Sequence, residues 1–513
     1  MKHEILSVDV AIVGAGPIGL AAGQAAVQGG APRGIADDNA RAGLGDGHRP
    51  GVQHGRRRPA PTRLAEAVPR PDAGGAHAMK HEILSVDVAS VGAGPAGLSA
   101  AQAAVQGGAS VAIVDDNPRA GGQIWRQGPG VASDGTRAGG AAPARLVTPP
   151  PAAAERFKVL HHPNVRHLAA TRIVAESSPG TLLLEDDERA LLLEYRTMIL
   201  CCGARELLLP FPGWTLPGVT GAGGLQALIK HGLDVRGQRT VIAGSGPLLL
   251  ASAATARERG ARVLHVLEQA AWADVLGFGI GLPRWPSKLM QAAKLMTPVY
   301  RADAHVVEAF GDKRLEGVRI RQGGRDVDVE CDRLACGFGL VPNTALPSHL
   351  GCRIENGAVA VDAHQRTSRA GHFAAGECTG VGGSELAMVE GEIAGCAATG
   401  QTARLAGLAE RRARWQAFAD AVRERFAIRE AVRKLARPDT LVCRCEDVRY
   451  DALANEAGWT AAKLQSRCGM GACQGRVCGA ATQALFGWTP PAPRPPLVPA
   501  RVGTLMLDGG DDA

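Results

Sequence analysis

Sulfur and glycine at fixed spacings give this sequence its clearest chemistry. Five of the twelve cysteines fall in "LVCRCEDVRYDALANEAGWTAAKLQSRCGMGACQGRVCGAATQALFG", between Cys443 and Cys478. Cys443-x-Cys445 opens the run and Cys473-x4-Cys478 closes it after a helical span. Two close thiol pairs suit either a [2Fe–2S] cluster or an all-cysteine zinc site. The single residue inside the first pair favours iron, because zinc pairs usually enclose two to four. The other seven cysteines are scattered through apolar stretches, where a small buried thiol is the expectation.

Glycines supply the second kind of chemistry. In "VDVASVGAGPAGLSAAQAAVQGGASVAIVDD" the residues Gly92, Gly94 and Gly97 form GxGxxG between an apolar strand at 86–91 and a helix at 96–105. A second strand follows at 111–114 and ends on Asp115. The glycines allow a tight turn, backbone approach to a pyrophosphate and close helix packing, while the helix N-terminus offers N–H groups to the phosphates and Asp115 reaches the ribose hydroxyls. Gly121, Gly122 and Gln123 lie in a turn suited to close contact with the same cofactor. From Arg239 the grammar repeats with Gly244, Ser245, Gly246 and a terminal Glu268, but Leu249 replaces the third glycine. NAD(P), another adenine nucleotide, or an empty Rossmann-like scaffold all remain open there.

The elements that position these residues imply an α/β chain. An apolar strand ends at Gly203, and a late strand at 372–375 leads to Gly376, Glu377 and a helix from about Ser384. The expected organisation is a discontinuous dinucleotide-binding domain (79–220 and 336–400), a second nucleotide-binding domain (221–335), a helical linker (401–440), a small helical cysteine domain (441–490) and a tail (491–513).

The N-terminus is anomalous. Residues 1–31 repeat 79–109 almost letter for letter, and most positions still match out to Gly43 and Gly121, with glycines at Gly14, Gly16 and Gly19. The match then stops inside a supersecondary unit, and residues 44–78 are rich in Arg, Pro, Gly and Ala, a composition that buries too little to order itself. With 48 Arg against 9 Lys, the reading is a partial duplication that slipped frame, with the working protein starting at Met79. A basic arm built on Arg56, Arg57 and Arg58 is the alternative. Pro32, Arg33 and Gly34 are expected to damage the second strand of this first copy. Copy one has Ile12 where copy two has Ser90, so a swap of copy one into the sheet is conceivable, though only one copy can fill the slot. The apolar-poor stretch 130–157 is either a second frame lesion or a long loop.

The net charge is +7 on 513 residues, with acidic and basic residues interspersed, which implies no nucleic-acid partner. No apolar run reaches membrane-span length and no signal-peptide pattern opens the chain, so a cytoplasmic location is expected, with peripheral association to the inner membrane through partners left open.

The order of these parts resembles the two-dinucleotide-binding flavoprotein superfamily, in which the first GxGxxG binds FAD and a late carboxylate meets the flavin ribityl chain. Cys201-Cys202-Gly203 stands where that superfamily has "ATG", and Glu377 stands for the usual Asp. The string "CRCE…K…SRxGMGxCQGRxC" resembles the bacterioferritin-associated-ferredoxin-like (BFD-like) [2Fe–2S] domain. By that resemblance the ligands are Cys443, Cys445, Cys473 and Cys478, Cys468 is a bystander where a small residue is common, and Gly469 and Gly471 let amides approach the cluster sulfurs. From Met79 to about Pro490 the whole arrangement is similar to the A subunits of opine oxidases, an arrangement shared by the hydrogen cyanide synthase and D-hydroxyproline dehydrogenase flavoprotein subunits. "LLLPFPGWTLPGVTGAGGLQALIK" (207–230) and "GFGLVPNT" (337–344) also fit that family.

The resemblance implies FAD, a [2Fe–2S] cluster and a partner FAD subunit resembling D-amino-acid oxidases. A small ferredoxin-like protein and a downstream electron acceptor are further partners by the same resemblance. No redox CxxC or CxxxxC lies in the first flavin unit, and no His or Tyr base stands in a motif, so the catalytic residues are unknown. Three readings follow. The chain relays electrons from a partner that oxidises an opine or an amino or imino acid, or it is a self-contained NAD(P)H-dependent reductase, or it is the non-functional product of a damaged gene.

Overall fold

A computed structural model describes residues 10–13, 33–36, 82–126 and 151–507. The chain divides into two compact units, Met1–Ala78 and Met79–Ala513. In the first, Val10–Val13 and Arg33–Ala36 pair in parallel, Val10 opposite Arg33 and Val13 opposite Ala36. This corrects the expectation that Pro32, Arg33 and Gly34 break the second strand. Pro32 is outside Arg33–Ala36 and so costs it no ladder donor, and among the described residues that strand has one partner, a demand Gly34 can meet. The stretch 44–78 lies outside the described residues, as does 127–150.

In the second unit, copy two fills its own sheet. The strand Glu82–Val91 lies between Val111–Val114 and Ala190–Leu200, and Val165–Leu168 closes that edge. Ala190–Leu200 is long enough to serve two neighbours. Its first half pairs antiparallel with Thr181–Glu185, and its last residues pair parallel with His372–Ala374. The central parallel strands are apolar on both faces, as burial by helices above and layers below requires. Leu98, Ile113 and Leu200 are wholly buried, each worth about 1.5–3 kcal/mol relative to exposure. The glycine helix Pro95–Gln106 packs along Ser384–Ala398, both rich in small residues that let the two backbones approach.

Ser90, a poor strand former, is fully buried with its hydroxyl 3.5 Å from the Gly97 carbonyl oxygen. Its small side chain fits beneath the turn where the helix comes closest to the sheet. At the end of the apolar-poor stretch 130–157, Pro151–Phe157 forms a helix.

A second sheet is wholly parallel, in the order Val219–Gly221, Arg333–Gly337, Arg239–Gly244, Arg262–Glu268, Tyr300–Ala302. An antiparallel meander of Ala304–Phe310, Gly317–Gln322 and Arg325–Glu330 follows. The two sheets are joined by a short crossover in which Ala204–Glu206 pairs antiparallel with Leu340–Pro342. Beyond them runs the 24-residue helix Thr402–Arg425, rich in arginine and alanine and held to Ser384–Ala398 by Arg404 and Arg411 on Glu392.

The cysteine region forms a small core of its own around Val442, Leu453, Trp459, Ala462 and Ala481. The tail returns to the first sheet: Leu497 N–H donates to Val174 O at 2.8 Å and Arg501 N–H to Glu185 Oε2 at 2.9 Å. Among the described residues, no helix is long and apolar enough to cross a membrane.

Candidate functional site: a flavin cradle beside a thiol cluster

Three neighbouring strands end in line. Val91 and Ala374 both stand opposite Leu200, so the chain leaves the sheet at Gly92, Gly203 and Gly376 along one carboxyl edge. In open α/β sheets that edge is where a dinucleotide lies. Gly92 has φ +102°, and a side chain at Gly97 would collide with the Gly92 carbonyl oxygen, so both glycines are required by the backbone itself. Gly121 N–H donates to Ala93 O at 2.8 Å, and Gly122 packs against Gly94, which folds the Gly-Gly turn back over the loop. Gln123 is exposed on that turn.

Asp115 is buried at the end of its strand. One carboxylate oxygen accepts from Ala93 N–H at 2.5 Å and the other from Asn117 N–H at 2.7 Å. Beside it, on the paired strand, His167 carries a buried Nε2 without a partner. Burial lowers its pKa and the Asp115 charge opposes that shift.

Glu377 lies at the other end. Its Oε1 accepts from Gly383 N–H at 2.7 Å, while Oε2 is buried with no partner. An unpaired buried carboxylate oxygen is costly, and a ribityl hydroxyl would satisfy it; the residues present therefore fit FAD. Burial raises the Glu377 pKa. Glu390, not anticipated from sequence, holds this corner: it accepts from Gly376 N–H at 3.0 Å and from Thr379 Oγ1 at 3.1 Å, and Arg412 Nε donates to its other oxygen at 3.2 Å. Its one sequence signal is an acid inside the apolar helix stretch "AMVEGEIAG".

The second glycine loop is covered. Glu268 is fully buried and accepts from Gly246 N–H at 2.6 Å and Ala270 N–H at 2.9 Å, and burial pushes its pKa up to about 7. The Ser245 hydroxyl donates to Phe426 O at 2.7 Å, Gln269 Nε2 donates to Ala427 O at 3.0 Å, and Arg429 N–H returns a bond to Gln269 Oε1 at 2.9 Å. The Phe426 side chain lies against Gly246, and Arg429 pairs with Asp303 at 2.7 Å. The turn after the long helix thus lies across Gly244-Ser245-Gly246. Leu249, in place of the third glycine, is wholly buried.

All five clustered cysteines are brought together as free thiols. The sulfurs of Cys443, Cys468 and Cys478 lie within 4.8 Å of one another and all three residues are buried. Cys473 hydrogen-bonds to Cys478, and Cys445, which is exposed, bonds to Cys473. Cys468, expected as a bystander, thus lies in the same sulfur group as Cys443 and Cys478. Arg467 ends the helix Trp459–Ser466 in the left-handed conformation, φ +64°, and so turns Cys468 into the core. Hydrogen bonds from Cys468 and Cys478 hold the Cys443 thiol far below its usual range, and a hydrogen bond with Cys478 brings Cys473 down to about 5. The same hydrogen bonds raise the Cys468 and Cys478 thiols, and burial raises Cys445, so the group shares its protons; it is the convergence of the sulfurs that forms a donor set fitting a thiolate-bound metal centre.

The thiol cluster is seated on the crossover. Arg205 Nε donates to Arg476 O, within the Cys473–Cys478 loop, at 3.0 Å, and Arg205 Nη1 donates to Asn343 Oδ1 at 3.1 Å. Asn343 Nδ2 then donates to Cys202 O at 2.9 Å, beside Gly203. On the other flank Trp214 Nε1 donates to Leu441 O at 2.6 Å and the Arg444 guanidinium lies 5.1 Å over the Trp214 ring.

The glycine-edge cradle on one sheet and the second nucleotide fold behind it define a flavoprotein oxidoreductase of the two-dinucleotide-binding kind. A family model, "Pyridine nucleotide-disulphide oxidoreductase", matches residues 86–402. The first-lettered subunit of opine oxidase from Rhizobium meliloti is 31% identical over 460 residues, covering 82% of this chain and 98% of the relative. Hydrogen cyanide synthase subunit HcnB of Pseudomonas aeruginosa is 31% identical over 425 residues, covering 76% and 90%. The chain belongs to this family of opine oxidase and hydrogen cyanide synthase flavoprotein subunits. Its fold is similar to that of L-proline dehydrogenase from P. horikoshii, at a TM-score of 0.56 and 17% identity over 84% of this chain and 82% of that one.

Proposed function

We propose that this chain is the electron-relaying subunit of a heteromeric dehydrogenase or oxidase, whose partner flavoprotein subunit, D-amino-acid-oxidase-like, oxidises an opine or an amino or imino acid at a CH–NH or CH–NH2 bond. Gly92, Gly94, Gly97, Asp115, Gly121, Gly122, Gln123, Gly203, Gly376 and Glu377 hold FAD in this reading. Cys443, Cys445, Cys473 and Cys478 hold a BFD-like [2Fe–2S] cluster. Bound there, the two groups supply two-electron acceptance and one-electron transfer. A downstream acceptor such as a quinone or cytochrome takes the electrons, and a small ferredoxin-like subunit completes the assembly.

The observation that carries this reading is the seating of the Cys473–Cys478 loop on the crossover through Arg205, which puts the thiol group next to the strand that ends at Gly203. The chain's own residues orient and enclose the two sites rather than abstract a proton from substrate. The relatives named above are subunits of larger enzymes, which supports the need for a partner.

The self-contained NAD(P)H reading has less support. Phe426 and Ala427 take the polar groups of Ser245 and Gln269 at the loop where Gly244, Gly246 and Glu268 would meet a nicotinamide dinucleotide. The damaged-product reading is disfavoured by the complete sheets and buried cores of residues 82–126 and 151–507.

The test is a visible spectrum with flavin, iron and sulfide analysis of the protein purified by itself and co-expressed with a partner subunit, each mixed anaerobically with NADH and with an opine. Flavin and iron that stay oxidised until both opine and partner are present support the relay. Rapid bleaching of the lone protein by NADH overturns it.

A further inference from the structure

A four-thiolate centre needs four cysteines, and this chain gathers five. Cys443, Cys473 and Cys478 are three of the ligands in the metal-centre reading above, so the fourth place falls between Cys445 and Cys468. The two candidates differ. Cys445 is exposed and hydrogen-bonds to Cys473, whereas Cys468 is wholly buried with its sulfur within 4.8 Å of those of Cys443 and Cys478. Two thiolates on one tetrahedral iron or zinc, with metal–sulfur bonds of about 2.3 Å, stand roughly 3.7 Å apart. Cys468 and Cys443 are therefore within a small contraction of sharing one metal as a pair of thiolates.

The backbone keeps Cys468 there. Its N–H lies 3.3 Å from Ser466 Oγ as acceptor, the left-handed Arg467 precedes it, and Arg467 Nε is anchored on Glu446 at 2.7 Å, beside Cys445. The same ion pair thus spans the two segments that carry the rival thiols.

We propose that Cys468 is a reserve ligand of this centre, able to complete a four-thiolate set with Cys443, Cys473 and Cys478 when Cys445 is absent or withdrawn. This rests on the metal-centre reading given above. In the exchange the metal–sulfur bond to Cys445 breaks and one to Cys468 forms. The proton lost by the Cys468 thiol goes through solvent to the released Cys445 thiolate, and no electrons are transferred. The exposed thiol can then leave the centre, for instance as a partner docks, without the centre being lost.

The test uses the full chain, purified anaerobically, as the parent and as Cys445→Ser, Cys468→Ser, Cys473→Ser and the double variant Cys445→Ser/Cys468→Ser. Metal and sulfide per chain, visible absorbance and the low-temperature electron paramagnetic resonance of the dithionite-reduced protein are read, with bound flavin as the folding control. Cys445→Ser should keep metal within about twofold of the parent with a shifted resonance, and the double variant and Cys473→Ser should lose it by at least about tenfold. A flavin-loaded Cys445→Ser chain that loses metal as fully as the double variant overturns the proposal. Zinc without sulfide in the parent chain overturns the [2Fe–2S] reading instead, and the same variants, read by zinc content, still decide the role of Cys468. A flavin-loaded parent that takes up neither metal overturns both.

Discussion

Arg205 and Arg476 meet through a single hydrogen bond, from the Nε–H of the first to the main-chain carbonyl of the second at 3.0 Å. Arg205 is on the crossover between the two sheets and Arg476 is inside the Cys473–Cys478 loop. Replacing Arg205 by Ala leaves the Arg476 carbonyl and Asn343 Oδ1 without this donor, a loss of about 1–2 kcal/mol in the seating of the cysteine domain. Amide hydrogen exchange across 441–486 should rise while bound flavin is retained. Electron transfer from flavin to the metal centre, followed by stopped flow, should slow in parallel. Unchanged exchange and rate would show that other contacts seat the domain.

Glu377 presents one satisfied and one unsatisfied buried oxygen. Glu377→Ala removes the acceptor for Gly383 N–H as well as the group expected to meet the flavin ribityl chain. Flavin affinity should fall by about 10–100-fold, corresponding to about 1–3 kcal/mol, measured by titrating the deflavo protein with FAD. The retained affinity of Glu377→Asp, expected to lie closer to the parent, separates the carboxylate from mere bulk.

Gly97→Ala places a methyl group into the Gly92 carbonyl oxygen. Helix and loop must then separate, which costs about 3 kcal/mol or more and opens the cradle. The expected product is a chain that expresses poorly and carries no flavin. An alanine variant with full flavin content would refute the close approach.

Glu268 titrates late because it is buried, at about 7 against an ordinary 4.5. Between those values the folded chain keeps a proton that the unfolded chain has released. Stability from this group is therefore complete below about pH 4.5 and is lost as pH rises through 7, by about 2–4 kcal/mol in all. Thermal unfolding of the full chain should show this downward component between about pH 5 and 7, and Glu268→Gln should remove it.

The local grammar of the fold was legible. Strand, glycine loop, helix and strand at 82–114 follow from alternating apolar runs and from the demand of Gly92 and Gly97 for a side-chain-free backbone, and the second unit at 239–268 follows likewise. What was hidden depends on residues far apart in the chain. Nothing near Ser245 shows that Phe426 will cover it, and nothing near Glu185 announces Arg501. Glu390 and His167 carry no motif; their roles appear only when a helix or a neighbouring strand brings them to Gly376 and Asp115. Cys468 was visible as a residue, but its place beside Cys443 and Cys478 was not, because a left-handed Arg467 decides where its sulfur points. The forming of Arg33–Ala36 shows the same limit from the other side: residues poor for a strand still pair when the demand on them is only one edge.

The turn at Phe426 has one more effect. The segment that lies on Ser245 and Gln269 is the same segment that leads, through Glu430–Arg433, to Cys443. That stretch is pinned at both ends, by Phe426 and Ala427 on Ser245 and Gln269 and by Leu441 on Trp214. One short run of polypeptide thus closes over the second glycine loop and delivers the cysteines to the far side of the crossover.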